Sequence, residues 1–349
     1  MKFIDLFAGI GGFRFGMESA GHECVAFCEI DKFARASYKA IHNTEGEIEL
    51  HDITTVTDDE IRNIGHVDAI CGGFPCQAFS IAGHRRGFED TRGTLFFEIA
   101  RFAAILKPKY LFLENVKGLL NHDKGDTFET ILSALDELGY DVEWQVLNSK
   151  DFGVPQNRER VFIIGHLRGE CTRNVFPVRG KDEKSSAERL GINILGNTKN
   201  PNGTAKGTRD IVHDPKGIVG TLTATDYKGP KQVAIPNEIK KIRVREATKQ
   251  GYAEASVGDS VNLSHPNSKT RRGRVGEGIA NTLVTGDSQG VVMPNFRIRK
   301  LTPKECWRLQ GFPDWAFDKA QEVNSNSQLY KQAGNSVTVN VIKEIARYL

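Results

Sequence analysis

The chain has 349 residues, of which 39% are hydrophobic and 26% charged, a composition typical of a globular protein with one large domain or two smaller ones. No apolar run approaches the roughly 20 residues of a membrane span, and glycines and Asp5 interrupt the short apolar start, so we expect a cytoplasmic protein without membrane attachment. The six cysteines do not indicate a disulfide scaffold, and the spacings Cys24–Cys28 and Cys71–Cys76 are not those of a zinc site, so we predict no metal.

The net charge of +3 averages over two different halves of the chain. Residues 1–165 carry 17 Lys and Arg against 26 Asp and Glu, a net charge of −9, whereas residues 166–349 carry 30 against 18, a net charge of +12. A basic second half favours contact with a polyanion such as nucleic acid. A solvated basic surface is the alternative that composition alone leaves open.

In the first 165 residues, short apolar strands alternate with segments of helical spacing. Helical spacing of apolar residues covers residues 32–41, 94–106 and 127–138. The strand-like stretches around them are KFIDLF, ECVAFCEI, VDAICGG, KYLFLEN and RVFIIG. This alternation predicts an α/β fold with a doubly wound, mostly parallel sheet.

From about residue 168 to residue 296 helical periodicity fades, and short β-like pieces predict a second, smaller, irregular β-rich domain. Two pieces share a pattern in which Thr221-Leu222 recurs 61 residues later as Thr282-Leu283, either a degenerate repeat or two similar strand–turn pieces. Beyond them, LTPKECWRLQGFP predicts a helix capped by Thr302 with Pro303 at its first position. The last stretch, SVTVNVIKEIARYL, predicts a terminal helix with a buried face.

The opening stretch DLFAGIGGFRFG predicts a strand, a glycine turn and a helix that starts near Gly12. Glycines let the backbone approach a ligand at the helix N-terminus. Glu29 and Asp31 end the next strand about 20 residues later, where an acid is suited to a ribose hydroxyl. These features indicate a nucleoside cofactor. Residues His51-Asp52-Ile53, at the end of the third strand, are candidates to lie beside its adenine.

Three further strand ends carry reactive side chains. Cys76 follows the strand VDAICGG in a polar, glycine-rich loop and is a candidate nucleophile, whereas Cys71, inside the strand, fits a buried structural thiol. Glu114 ends the strand YLFL, where partial desolvation suits an acid to hold or share a proton, although it could instead cap the next helix. Arg158 and Arg160 share one face of a period-two strand and suit an anion or a carboxylate, the alternative being an ordinary salt-bridged strand.

Several stretches of the chain resemble, in the same order, the sequence blocks of the DNA (cytosine-5)-methyltransferases: DLFAGIGGF, GGFPCQAFSIAG, FLENV, QNRERVFIIG, RKLTPKECWRLQGFP and QLYKQAGNSVTVNVI. The resemblance covers residues 1 to about 165 and 299–349, and the compact bacterial enzymes of restriction–modification systems or phages are the most similar members. The region between is variable in that family and holds its target recognition.

The resemblance implies a Rossmann-like methyltransferase sheet and transfer of a methyl group from S-adenosylmethionine to C5 of a cytosine flipped out of duplex DNA, with S-adenosylhomocysteine as product. Cys76 would attack C6, Glu114 would assist at N3, and Arg158 and Arg160 would complete the catalytic set. The residues implied for the cofactor site are Phe7, Ala8, Gly9, Gly11, Gly12, Glu29, Ile30, Asp52, Ile53, Gly73, Pro75, Leu95, Asn335, Ser336 and Val337.

The resemblance also implies DNA contacts from the loop of residues 77–94, a candidate mobile lid, and from the basic second half. The residues implied are Gln77, Ser80, Arg85, Arg86, Arg92, Arg271, Arg272, Arg274 and Thr282. For the arginines of KTRRGR, contact with phosphate alone is an equally good interpretation. Thr282-Leu283 is favoured over Thr221-Leu222 as the recognition pair because it lies closer to the RKLTPKEC block.

The implied domains are a catalytic domain of residues 1–180 and 335–349, a target-recognition domain of residues 181–296 and a hinge region of residues 297–334. We expect a monomer on double-stranded DNA, associated with the nucleoid through that DNA, and no stable complex with any cognate restriction endonuclease encoded nearby. Two alternatives are an RNA cytosine methyltransferase, which the long basic segment disfavours, and a non-catalytic DNA-binding relative, which the intact Cys, Glu and Arg set disfavours.

Overall fold

The computed structural model describes residues 1–75, 95–180 and 297–349 without interruption. Between residues 181 and 296 it describes 194–197, 211–213, 241–256, 259–262, 270, 275–276, 279–281 and 290–293.

A seven-stranded sheet forms the centre of the fold. The first eight strands of the chain are β1 (Lys2–Leu6), β2 (Glu23–Cys28), β3 (Ile48–Leu50), β4 (Ala69–Gly73), β5 (Tyr110–Val116), β6 (Tyr140–Asn148), β7 (Gln156–Asn157) and β8 (Glu159–Leu167). All except β7 join the sheet, in the order 3-2-1-4-5-8-6, and β8 alone runs antiparallel to its neighbours. The predicted doubly wound, mostly parallel sheet is therefore confirmed. The chain order reverses between β1 and β4, and such a switch point leaves a crevice at the carboxyl ends of the strands.

The helices of the described chain are α1 (Gly12–Glu18), α2 (Lys32–Ile41), α3 (Asp58–Asn63), α4 (Leu95–Leu106), α5 (Asp126–Glu137), α6 (Pro303–Leu309), α7 (Asp314–Val323), α8 (Asn326–Asn335) and α9 (Val339–Ala346), with 3₁₀ segments at Lys117–Gly125 and Ser149–Phe152. Successive side chains of β1 point to opposite faces of the sheet, and helices cover both faces. Ile4 packs in one buried cluster with residues of α4 and α5, whereas Phe3 packs with Met17 of α1 and Ile342 of α9.

Helices α6, α7 and α8 build a third buried cluster with Ile10 and Ile41 from the first part of the chain. The predicted capping of α6 is confirmed, because Thr302 Oγ1 accepts a hydrogen bond from Glu305 N while the Glu305 carboxylate accepts one from Thr302 N. The predicted terminal helix is confirmed as α9, which buries one face against α1. The segment predicted as a hinge thus consists largely of helices that pack on the first half of the chain.

The region between the sheet and α6 is a smaller β-rich part of the fold, as predicted. Its strands are β9 (Ile194–Asn197), β10 (Ile211–His213), β11 (Lys241–Arg245), β12 (Tyr252–Ser256), β13 (Ser260–Val261), β14 (Val275–Gly276), β15 (Ala280–Asn281), β16 (Gly290–Met293) and β17 (Arg297–Lys300). Most form two-stranded antiparallel pairs, whereas β15 pairs in parallel with β7. Among the described residues no helix has both the length and the apolar character needed to cross a membrane.

Candidate active site

A cleft of about 570 Å³ opens where β1, β2, β4 and β5 end, beside the last turn of α8. Glu114, Arg158 and Arg160 border it, so the structure brings together those of the predicted catalytic residues that it describes. The predicted cofactor residues in its wall are Phe7, Gly9, Glu29, Ile30, Asp52, Ile53, Gly73, Pro75, Leu95, Asn335 and Ser336.

The other predicted cofactor residues lie behind the wall of the cleft. Ala8 is buried against Phe27 and Tyr38, and a Cβ at Gly11 would collide with the His42 ring. A Cβ at Gly12 would lie 2.7 Å from Cγ2 of Val337. We therefore expect Ala8, Gly11, Gly12 and Val337 to support the cleft rather than to line it.

The glycine turn after β1 is held by Glu29. Its Oε2 accepts a hydrogen bond from Gly9 N at 2.8 Å, and its Oε1 accepts one from Asp31 N at 2.8 Å. Burial raises the pKa of Glu29, and these two backbone donors oppose the rise. Phe7 has a φ of 54°, in the left-handed region that non-glycine residues rarely adopt, and such strain is concentrated at functional sites.

The far end of the cleft combines an apolar side chain with carboxylates. Ile30 is 66% exposed although it is apolar, so its face is available to a planar ligand. The Asp52 carboxylate accepts hydrogen bonds from the hydroxyl and the backbone N of Thr54, which lower the pKa of Asp52. Asp31 caps α2 and pairs with Lys331 of α8 at 2.5 Å; burial alone would raise the Asp31 pKa, but the Lys331 hydrogen bond keeps it below its usual value.

At the opposite end of the cleft, Glu114 and Arg160 form an ion pair across β5 and β8. Antiparallel pairing sets Arg160 opposite Val116, and Nε of Arg160 lies 3.0 Å from Oε1 of Glu114. Apart from this ion pair, that oxygen has no polar partner within the described ranges, so it keeps acceptor capacity. A Cβ at Gly73 would lie 3.2 Å from Oε2 of Glu114, so glycine leaves space beside the carboxylate.

Arg158 has different partners from Arg160. It is 3% exposed, lies between β7 and β8, and donates hydrogen bonds to the carbonyl oxygens of Gly334 and Ser336. Burial and repulsion from Arg160 bring the pKa of Arg158 well below its usual value, and attraction to Glu114 only partly offsets this. The structure therefore places the two arginines beside the same cleft with different environments.

Asn115 fixes the strand end that leads to the candidate nucleophile, because its Nδ2 donates to Phe74 O at 2.9 Å. Cys71 in β4 is fully buried, and burial raises its pKa well above the usual value, which confirms it as a structural thiol. Cys76 itself lies outside the described residues, as do Gln77, Ser80, Arg85, Arg86, Arg92, Arg271, Arg272, Arg274, Thr282 and the alternative pair Thr221-Leu222.

Sequence reasoning missed the contribution of α8 upstream of Asn335. Lys331, Gln332 and Gly334 line the cleft, together with Ile10, Cys28, Ala34 and Phe74 from the first half of the chain. Gln332 reaches the first half directly, because its Oε1 accepts a hydrogen bond from the Ser37 hydroxyl at 3.0 Å and its Nε2 donates to Phe33 O. The only signal in the sequence was the QLYKQAGNSV block taken as a whole.

Comparisons with known proteins show which family and fold the chain resembles. The family model described as C-5 cytosine-specific DNA methylase matches residues 1–349. The chain is similar to the orphan methyltransferase M.SPRI of Bacillus phage SPR, with 34% identity over 432 aligned positions that cover 100% of this chain and 97% of the relative. It is 38% identical over 351 positions to the type II methyltransferase M.HhaI of Haemophilus parahaemolyticus, covering 99% and 93%. A solved structure described as a putative DNA modification methyltransferase encoded within an E. coli prophage shares the fold, with a TM-score of 0.58, 22% identity and coverage of 99% and 97%.

Proposed function

The chain belongs to the C-5 cytosine-specific DNA methylase family, and we propose that it uses S-adenosylmethionine to methylate C5 of a cytosine flipped out of duplex DNA. Its family and relatives make it a DNA (cytosine-5)-methyltransferase of the kind that phages and restriction–modification systems encode. The observation that carries the finer proposal is the cleft in which the Glu114–Arg160 pair faces a glycine turn and an exposed apolar side chain.

The residues that follow β2 and β3 in the cleft fit S-adenosylmethionine. Glu29 offers a carboxylate suited to ribose hydroxyls, Ile30 an apolar face for the adenine ring, and Asp52 an acceptor for the exocyclic amine of the adenine. Asn335 and Ser336 close this part of the cleft from the last turn of α8. When bound, S-adenosylmethionine supplies an electrophilic methyl group, and the chain has to hold it and exclude water.

The proposed chemistry assigns one task to each reactive side chain. Cys76, as a thiolate, adds to C6 of the cytosine and so increases the electron density at C5, which is otherwise a weak nucleophile. Glu114 donates a proton or a hydrogen bond to N3, and Arg160 keeps the carboxyl oriented by the ion pair at 3.0 Å. After methylation, the C5 proton is lost to water, Cys76 leaves as a thiolate, and any proton on N3 returns to Glu114, which restores the aromatic ring.

The second half of the chain is proposed to hold the DNA. The C6 atom cannot be reached inside a stacked duplex, so the base must be flipped out, at a cost of roughly a few kcal/mol. Residues 166–300 carry 24 Lys and Arg against 13 Asp and Glu, a net charge of +11 that favours phosphate contact. We also propose that the protein is a monomer and that residues 181–296 recognise the target sequence. Sedimentation with and without a short duplex tests whether the protein is a monomer.

One transfer assay tests the proposal. The protein is incubated with methyl-labelled S-adenosylmethionine and either DNA from an unmethylated host or tRNA, and label is expected in DNA as 5-methylcytosine. Cys76→Ala should abolish transfer while DNA binding persists, whereas Cys71→Ala, the matched control inside β4, should keep activity. A duplex with 5-fluorocytosine at the target should trap the enzyme covalently. Label in tRNA alone would favour the RNA alternative, and label in neither would refute both.

A further inference from the structure

The last turn of α8 is a wall of the cleft and also a helix terminus. Gly334, Asn335 and Ser336 all line the cleft. The last carbonyl groups of a helix have no partner inside the helix and must find one elsewhere. Two side chains from distant parts of the chain supply those partners at α8.

Arg158 approaches this helix end from the strand side. Its Nη2 donates to Ser336 O at 2.8 Å, and both terminal nitrogens lie 3.4 Å from Gly334 O. A cation at a helix C-terminus is also favoured by the helix dipole. The backbone of Arg158 is fixed in turn, because its N donates to Oδ1 of Asn148 at 3.1 Å and its O accepts from Ser149 N at 3.0 Å.

Gln310 holds the same helix end from the side of α6. It is fully buried, and its Nε2 donates to Ala333 O at 2.6 Å. Its Oε1 accepts hydrogen bonds from the Thr338 hydroxyl at 3.0 Å and from Nε2 of Gln156 at 3.2 Å. The Thr338 hydroxyl also lies 2.8 Å from Oγ of Ser149, whose N donates to Arg158 O, so the two groups that hold α8 belong to one buried hydrogen-bonded network.

We propose that Arg158 and Gln310 are positioning residues of the cofactor site, which cap the C-terminal end of α8 and so fix residues 334–336 against S-adenosylmethionine. The two arginines of QNRER then have separate tasks: Arg160 orients the acid Glu114, and Arg158 holds the cofactor wall. This inference rests on the proposed function, because it needs the cleft to bind S-adenosylmethionine.

The test compares Arg158→Lys and Gln310→Met with a matched control, Arg173→Lys. Arg173 also caps a helix end, since its guanidinium donates to Tyr348 O and Arg347 O beyond α9, but it is exposed and is not part of the cleft wall. Calorimetry with S-adenosylhomocysteine gives the affinity, and steady-state kinetics give kcat and the KM for S-adenosylmethionine. Both test variants should bind at least about tenfold more weakly, with KM rising by a larger factor than kcat falls. Arg173→Lys should match the wild type, and Arg160→Lys should lose kcat instead.

The possible failures are distinguishable. An Arg158→Lys variant that loses kcat and binds S-adenosylhomocysteine like the wild type would overturn the inference, because the arginine would then act on the base or on Glu114. A wild-type protein that does not bind S-adenosylhomocysteine would overturn the proposed function itself. If neither variant folds, hydrogen exchange on the wild type decides: the ligand must slow exchange of the amides of residues 334–337, and unchanged exchange overturns the inference.

Discussion

Replacement of Gly12 by alanine should weaken cofactor binding because the added methyl group would press on the cofactor wall. A Cβ at Gly12 would lie 2.7 Å from Cγ2 of Val337, 2.8 Å from Oγ of Ser336 and 3.2 Å from the backbone O of Val337. Such contacts are too short to persist, so the segment must move. Overpacking of this kind costs about 1–3 kcal/mol, and the better helix propensity of alanine offsets at most about 1 kcal/mol.

Gly16→Ala provides the matched control in the same helix. Its Cβ would lie 2.6 Å from Cβ of Ile342 and 2.8 Å from N of Lys343, both in α9 and neither in the cleft wall. Chemical denaturation should show that both variants lose about 1–2 kcal/mol of unfolding free energy. Calorimetry should show that only Gly12→Ala binds S-adenosylhomocysteine about tenfold more weakly, which corresponds to about 1.4 kcal/mol. Equal affinities in the two variants would refute the assignment of Ser336 to the cofactor wall.

Three further predictions concern the cleft and strand β1. Glu114→Gln should lower the single-turnover rate by about 10²–10⁴-fold with DNA affinity retained; a rate within about threefold of wild type would contradict the acid role. Ile30→Ser should weaken S-adenosylhomocysteine binding about fivefold in calorimetry, since about 1 kcal/mol of apolar contact is lost; an unchanged affinity would remove Ile30 from the adenine site. Burial raises the pKa of Asp5 well above its usual value, and attraction by Arg14 opposes this rise. The contribution of the protonated Asp5 to folding stability is therefore complete below its unfolded pKa of about 3.9. It is lost as the pH rises through the folded pKa of Asp5. Denaturation should therefore show Asp5→Asn gaining up to about 1.4 kcal/mol per pH unit over wild type as the pH rises from about 3.9 to the folded pKa, and a difference that does not change as the pH rises above about 3.9 would contradict it.

The amphipathic parts of the fold could be predicted from the sequence. Residues 32–41, 94–106 and 127–138 were expected to be helical and correspond to α2, α4 and α5. These helices each bury a face on the sheet or its neighbours, so their apolar residues recur at helical spacing. The capping of helix α6 by Thr302 could also be predicted, because the hydrogen bonds of the capping box join residues close together in the sequence.

The elements that were missed depend on tertiary contacts. Strand β6 is at the edge of the sheet, and its polar side chains pair with the backbone of a later segment: the Glu143 carboxylate accepts from Val175 N, and Gln145 Oε1 accepts from Val178 N. The sequence of β6 is therefore too polar to predict a buried strand. Helix α8 buries a glutamine among its few apolar residues and reaches the cleft through contacts with residues almost 300 positions earlier, which no local pattern reveals.

The ion pair of Glu114 with Arg160 depends on the topology of the sheet, which sequence periodicity does not reveal. Glu114 lies near the carboxyl end of β5, whereas Arg160 lies at the amino end of β8. In a fully parallel sheet these two ends would lie at opposite edges, about 20 Å apart for strands of this length. Because β8 runs antiparallel to β5, its amino end reaches the cleft, and Arg160 meets Glu114. The reversal also sets Arg158, two residues earlier, against the last turn of α8. One antiparallel strand in an otherwise parallel sheet therefore brings both arginines to the cleft, Arg160 beside Glu114 and Arg158 against the last turn of α8.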